Sequence, residues 1–194
     1  MFGRAVRRGA AGLVVLGIVG ISAAPAWTSE RATPASPWPA LHRPLHLRMP
    51  EGECTSAHLV RLVGSIRGAG LGPVYPMMSP WLLARKPNRP GIGGKLAWAW
   101  SERTTKRHLK VLVRGRRLDG PGVVRFVVGP HFATAPLAYE LRLDTAGAAG
   151  RLAGGQWRTI TSDIYVREPG CYGLQLDWAG GSRTLTFKAT RRTA

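Results

Sequence analysis

An all-β fold, with antiparallel strands packed as a sandwich, is what this 194-residue sequence predicts. Three observations carry that reading. From residue 95 onward, apolar and polar residues alternate with a period of two, the signature of strands half buried against a core. The alternating runs are short, and glycine-rich turns separate them: "LDGPG" at 118–122, "TAGAAGRLAGG" at 145–155 and "AGG" at 179–181. With a strand around 157–166, about seven such segments fit between 95 and 190, a spacing that suits a sandwich, with a small barrel as the alternative.

The elements before the strands come in a definite order. "MFGRAVRR" carries three arginines and no acid, "GAAGLVVLGIVGIS" is apolar, and Ala24-Pro25-Ala26 offers small residues at a cleavage point. This is the layout of a secretory signal peptide, residues 1–26. Its apolar run is short of the ~20 residues that span a bilayer, and an uncleaved membrane anchor is the alternative. No cysteine stands at the cleavage region, so lipid modification is not indicated. Residues 27–50 hold five prolines, which remove donors and keep their predecessors extended, so the segment reads as a largely disordered linker. Pro44 between His42 and His46 argues against a helix that would present the two together to a metal.

The folded domain is expected over 51–190, followed by a basic tail, 191–194. Residues 54–66 fit a short helix and a strand equally well. "RKPNRPGIGG" at 85–94 reads as a long loop. Next come "KLAWAW", with Leu96, Trp98 and Trp100 on one face, and "HLKVLVRG", with Leu109, Val111 and Val113 inward and Lys110 and Arg114 outward. "GVVRFVVG" offers Val124, Phe126 and Val128, and "YELRLD" offers Tyr139, Leu141 and Leu143. In "SDIYVREPGCYGL" the parity breaks, since Trp157 and Ile160 do not share a face with Ile164 and Val166 without adjustment, which predicts a bulge or a sheet-switching kink near Ser162. The last two strands set Tyr172, Leu174, Leu176 and Trp178 against Gly173, Gln175 and Asp177, then Leu185 and Phe187 against threonines and Lys188.

Glu168-x-Gly170-x-Tyr172 matches the acidic-x-Gly-x-Tyr approach to the penultimate strand of immunoglobulin-like sandwiches, where the tyrosine forms a corner. The expected cysteine position two residues later holds Leu174. Cys171 precedes the tyrosine instead and faces the opposite side, so it is placed to tie a segment lying outside the sheet. Cys54, just past the linker, suits that role, and an exported chain permits the bridge; two free buried thiols are the alternative. The bridge would close a loop of about 117 residues, on the order of 4–5 kcal/mol in the chain-entropy model.

The stretches "VLVRGRRLDGPGVVRF", "ELRL", "QWRTITSDIYVREPGCYGLQLDWAGGSRTLTFKA" and "GPVYP" resemble a group of small exported bacterial proteins, often lipoproteins. Members carry an amino-terminal cysteine segment, a Tyr-Pro piece, a strand ending Arg-Gly-Arg and a carboxy-terminal Pro-Gly-Cys-Tyr strand. The resemblance covers about residues 54–190 and departs at 77–107. It implies an exported sandwich with a Cys54–Cys171 bridge and transfers no catalytic residue.

A formal charge of +18 invites an anionic partner, such as nucleic acid, acidic lipid or cell-wall polymer. The excess is mostly dispersed arginine, as a GC-rich coding bias also produces, and no specific nucleic acid is expected. The densest internal cluster, Arg114, Arg116 and Arg117, and Trp81 in the divergent loop are the candidate binding residues; the alternative for the cluster is a turn whose arginines pair with Asp119. Catalytic signatures are sparse. There is no GxSxG elbow, the histidines lack metal-ligand spacing, and no cofactor is expected. The sequence therefore points to an exported noncatalytic binding or structural module of the bacterial cell envelope, secreted or otherwise extracytoplasmic. Its expected partner is an anionic envelope polymer or a protein, with membrane contact only through a retained anchor. The alternative is a cell-envelope hydrolase built from loops around Asp163, Glu140 and His131.

Overall fold

Twelve strands and one 3-10 turn (Pro39–Leu41) make up the computed structural model, which describes residues 36–52, 54, 58–77, 82–85, 91–103, 108–128, 135–147, 150–152 and 155–191. In chain order the strands are β1 (Leu59–Val63), β2 (Ile66–Ala69), β3 (Tyr75–Met77), β4 (Leu82–Arg85), β5 (Ile92–Ser101) and β6 (Lys110–Arg117). Then follow β7 (Arg125–Val128), β8 (Glu140–Asp144), β9 (Gly150–Arg151), β10 (Trp157–Val166), β11 (Gly170–Trp178) and β12 (Gly181–Arg191). No α-helix occurs among the described residues, and none of their helices is long and apolar enough to cross a membrane. The signal segment and the first part of the linker lie outside the described residues.

The fold is a β-sandwich. One layer has the order β7-β10-β5, with β3 on β5 and β9 on β10; the other has the order β12-β11-β6-β8. Strand β4 links the layers along one side, antiparallel to β5 and parallel to β12. Along the other side a two-bond bridge between Phe126 and Ala138 ties β7 to the chain entering β8. The count exceeds the expected seven because β1–β4 precede the alternating region and β9 adds a two-residue rung. The ambiguous stretch 54–66 contributes strands: β1 and β2 form a separate antiparallel hairpin. The expected loop at 85–94 ends early, since β5 already begins at Ile92.

Period-two alternation fills the space between the layers. Leu96, Trp98, Trp100, Phe126 and Ile164 from one sheet meet Val111, Val113, Leu141, Tyr172, Leu174 and Phe187 from the other. Each fully buried aliphatic or Phe side chain contributes about 1.5–3 kcal/mol of transfer free energy. The Tyr172 and Phe187 rings stack with centroids 5.5 Å apart.

Three expectations from the alternation need correction. The bulge near Ser162 does not occur: β10 pairs with β5 in unbroken register from Trp157↔Ser101 to Val166↔Ile92. Ser162 keeps its core-facing slot because its hydroxyl accepts a 2.9 Å hydrogen bond from Trp98 Nε1, which needs a buried partner. Trp157 has the opposite parity and packs edge-on against Tyr75 instead. Tyr139 is 61 % exposed rather than inward, since β8 starts only at Glu140. Finally, Gln175 and Asp177 occupy the outward face of β11 yet are fully buried.

Residues 36–50 explain that burial. The proline-rich segment, expected to be a free linker, lies across the outer face of β11 and β6 in its described part. Leu41 and Leu47 are buried there. Gly173 makes the seat: a Cβ at that position would lie 3.0 Å from Leu47 Cδ2. A proline-containing strap cannot form a regular ladder, and side chains of the sheet bind its backbone instead.

Candidate functional site

Strand β6 sends Arg114 and Arg116 outward on alternate positions, where both meet the strap. Arg114 donates to the Arg43 carbonyl and to Asp177 Oδ2 at 2.8 Å. Arg116 donates to the Leu47 carbonyl at 2.8 Å. Between them, the Gln175 carboxamide accepts from His46 N at 2.7 Å and donates to the Pro44 carbonyl at 2.9 Å, much as a neighbouring strand would. Asp177 is further held by Gln175 Nε2 and by the Ser182 hydroxyl, 2.6 Å away. At the start of the strap Trp38 lies under Lys110 and Arg142, each 5.7 Å from its ring centre, and His42 contacts Glu140 at 3.0 Å. The far end is fixed by the Cys54–Cys171 disulfide, with Cα atoms 5.6 Å apart.

Arg117 turns the other way, to the corner. Its Nε donates to Asp119 Oδ1 at 2.6 Å and its Nη1 to Glu168 Oε2 at 3.0 Å. Asp119 Oδ2 accepts from Cys171 N at 2.9 Å, and the Tyr172 hydroxyl donates to the Glu168 carbonyl at 2.7 Å. That last bond closes the turn into β11, which begins at Gly170. Desolvation pulls the Asp119 pKa upward, but the bonds from Arg117 and Cys171 outweigh it and hold the carboxyl below its ordinary range. The hydrogen bond to Asp119 raises the Arg117 pKa, and burial raises that of Tyr172.

All three arginines of the expected binding cluster are thus engaged with groups of their own chain, on two different features. Trp81 and His131 lie outside the described residues. Asp163 is on β10, under its own neighbour Tyr165, whose hydroxyl donates to Asp163 Oδ2 at 3.2 Å. Glu140 is on β8 in the opposite sheet, paired with Arg142 and His42. The structure does not bring these two carboxylates together.

A different site emerges on the outer face of β7 and β10. Tyr165 is paired with Gly93 on one side and with Arg125 on the other. A Cβ at Gly93 would sit 2.6 Å from Tyr165 Cδ1, so the missing side chain lets the ring lie along the sheet. Tyr165 lines a groove of about 430 Å³ together with Val123, Leu137, Arg125 and Arg167. Arg125 is positioned by Tyr139, whose hydroxyl accepts a 3.0 Å bond and whose ring centre lies 4.7 Å from the guanidinium carbon. A phenol fixes a guanidinium without neutralising it. The Arg167 side chain is 87 % exposed and 3.8 Å from Glu168, which bonds more closely to Arg117. No carboxylate pairs with Arg125 among the described residues.

Density of charge points to residues 114–117 and marks neither Arg125 nor Arg167, and Tyr139 reads as a core position. A signal for Arg125 exists in "VVRFVV": an arginine at an outward position of an otherwise apolar strand. No protein-family model, curated protein or solved structure matches the chain.

Proposed function

We propose that this chain is an exported, noncatalytic binding module of the bacterial cell envelope, with the groove between β7 and β10 as its ligand-facing surface. The observation that carries the reading is the pair Arg125 and Arg167 beside an apolar-walled groove of about 430 Å³, within the size range of small-molecule sites. The disulfide fits an oxidising compartment. The resemblance of residues 54–190 to exported bacterial proteins agrees with that setting, as does the signal-like segment at residues 1–26. An immunoglobulin-like kinship for the sandwich is part of the same proposal, supported by the Tyr172–Glu168 corner bond.

The test is retention of the purified chain on whole envelope, peptidoglycan, anionic lipid vesicles and DNA across a salt series. Saturable retention on an envelope fraction, at a salt concentration that releases DNA, is the expected result. Equal retention on every polyanion, lost at the same salt, would reduce the charge to nonspecific attraction and remove the proposal. Turnover of an envelope polymer would replace it with the hydrolase reading.

A further inference from the structure

We infer that the groove takes a small amphipathic anion: a carboxylate or phosphate head on a short alkyl or acyl chain. The inference rests on the groove's being the ligand-facing surface and adds the class of ligand. This face differs from an ordinary outer sheet face. Two of its neighbouring residues, Val123 and Tyr139, are large apolar-bodied side chains left 42 % and 61 % exposed. Val123 and Leu137 wall the groove above the nearly buried Tyr165, so the surface offered to a ligand body is chiefly aliphatic.

The polar contribution is cationic. Arg125 and Arg167 both line the groove, and a guanidinium fork matches the paired oxygens of a carboxylate or phosphate. Arg125 is already oriented by the hydroxyl and ring of Tyr139, so little side-chain freedom remains to be lost on binding. Four arginines elsewhere on the sandwich pair with carboxylates of their own chain: Arg114 with Asp177, Arg117 with Asp119, Arg142 with Glu140 and Arg158 with Glu102. At the groove, charge and apolar walls stand together, which selects a ligand carrying both. A bare anion would leave the walls wet, and an uncharged chain would leave the cations without a partner.

Calorimetric titration of the full chain with octanoate, octyl phosphate, octanol and acetate at matched ionic strength tests this. Saturable binding of octanoate or octyl phosphate is expected, the stronger of the two identifying the head group, with octanol and acetate at least tenfold weaker. Arg125→Gln should weaken the preferred anion tenfold or more. Arg167→Gln, on a side chain exposed enough not to disturb folding, should weaken it severalfold. Arg103→Gln removes the same charge from the exposed turn after β5 and should change nothing. Octanol binding as well as the anions, or Arg125→Gln and Arg167→Gln behaving like Arg103→Gln, would overturn the inference. Neither anion binding would also overturn it, and salt-resistant retention on an envelope fraction would then still leave the binding-module reading in place.

Discussion

The two outer faces of the sandwich use arginine in opposite ways. On β6 and β11, Arg114 and Arg116 lie under or against the strap, bonded to its carbonyls and to Asp177. On β7 and just beyond β10, Arg125 and Arg167 face an open groove, and among the described residues the nearest carboxylate contact is the 3.8 Å approach of Glu168 to Arg167. The strapped face is covered by residues 36–50, whereas Arg125 and Arg167 line a groove and have no closer carboxylate contact among the described residues. Local charge density therefore says little about binding. What separates the two faces is whether the chain itself supplies the arginines' partners, as it does for Arg114 and Arg116.

The largest expected effect breaks the covered face. Cys171→Ser releases the far end of the strap and reopens a loop of 117 residues, so denaturant unfolding of the oxidised protein should lose about 4–5 kcal/mol. The difference between variant and parent should vanish in reductant. Equal loss with and without reductant would show that the cysteine acts through packing alone. Asp177→Ala comes next, at about 3–5 kcal/mol, because it strands the largely buried Arg114 guanidinium. A loss under 1 kcal/mol would mean that the pair is solvated and the strap does not cover it.

Gln175→Ala is a finer probe of the same face. It removes the amide that holds His46 N and the Pro44 carbonyl, at about 1–3 kcal/mol. Hydrogen exchange at the His46 amide should quicken while the core strands β10 and β11 keep their protection. Uniform loss of protection would place Gln175 in the global core rather than in a local clamp.

These residues also mark the limit of what the sequence discloses. Strands β5, β6, β8, β11 and β12 are legible because each has one face in the core, and alternation reports that directly. The strap is not, because proline density signals only the absence of a ladder, while the partners of residues 43–47 lie on β6 and β11, far along the chain. Gln175 and Asp177 look solvent-facing by pattern and are buried by a segment whose path no local rule gives. Ser162 looks like a break until the Trp98 indole is known to need its hydroxyl. The Cys54–Cys171 bridge is legible from the two cysteines of an exported chain together with the register that turns Cys171 away from Tyr172. At the candidate site, "RGRR" drew attention by density, whereas Arg125 depends on Tyr139, fourteen residues away, for its position.

The smallest expected effect is at the corner. The Asp119 pKa is held below its ordinary value of 3.8, chiefly by Arg117 and Cys171 N against desolvation. Its stabilising contribution is complete above that ordinary value and is lost as pH falls through the lower folded one. Asp119→Asn should therefore lower stability at neutral pH by a modest amount and flatten the decline below about pH 4. An acid limb as steep as the parent's would assign that decline to other carboxylates.

The most direct test of the contrast between the faces compares two variants with the same net charge, Arg125→Gln/Arg167→Gln and Arg114→Gln/Arg116→Gln, for retention on the envelope fraction. The comparison is made at a temperature where both stay folded. The groove pair should lose retention and the strap pair should keep it. Equal loss in the two would mean that charge number alone governs binding, and the distinction drawn between the faces would fail.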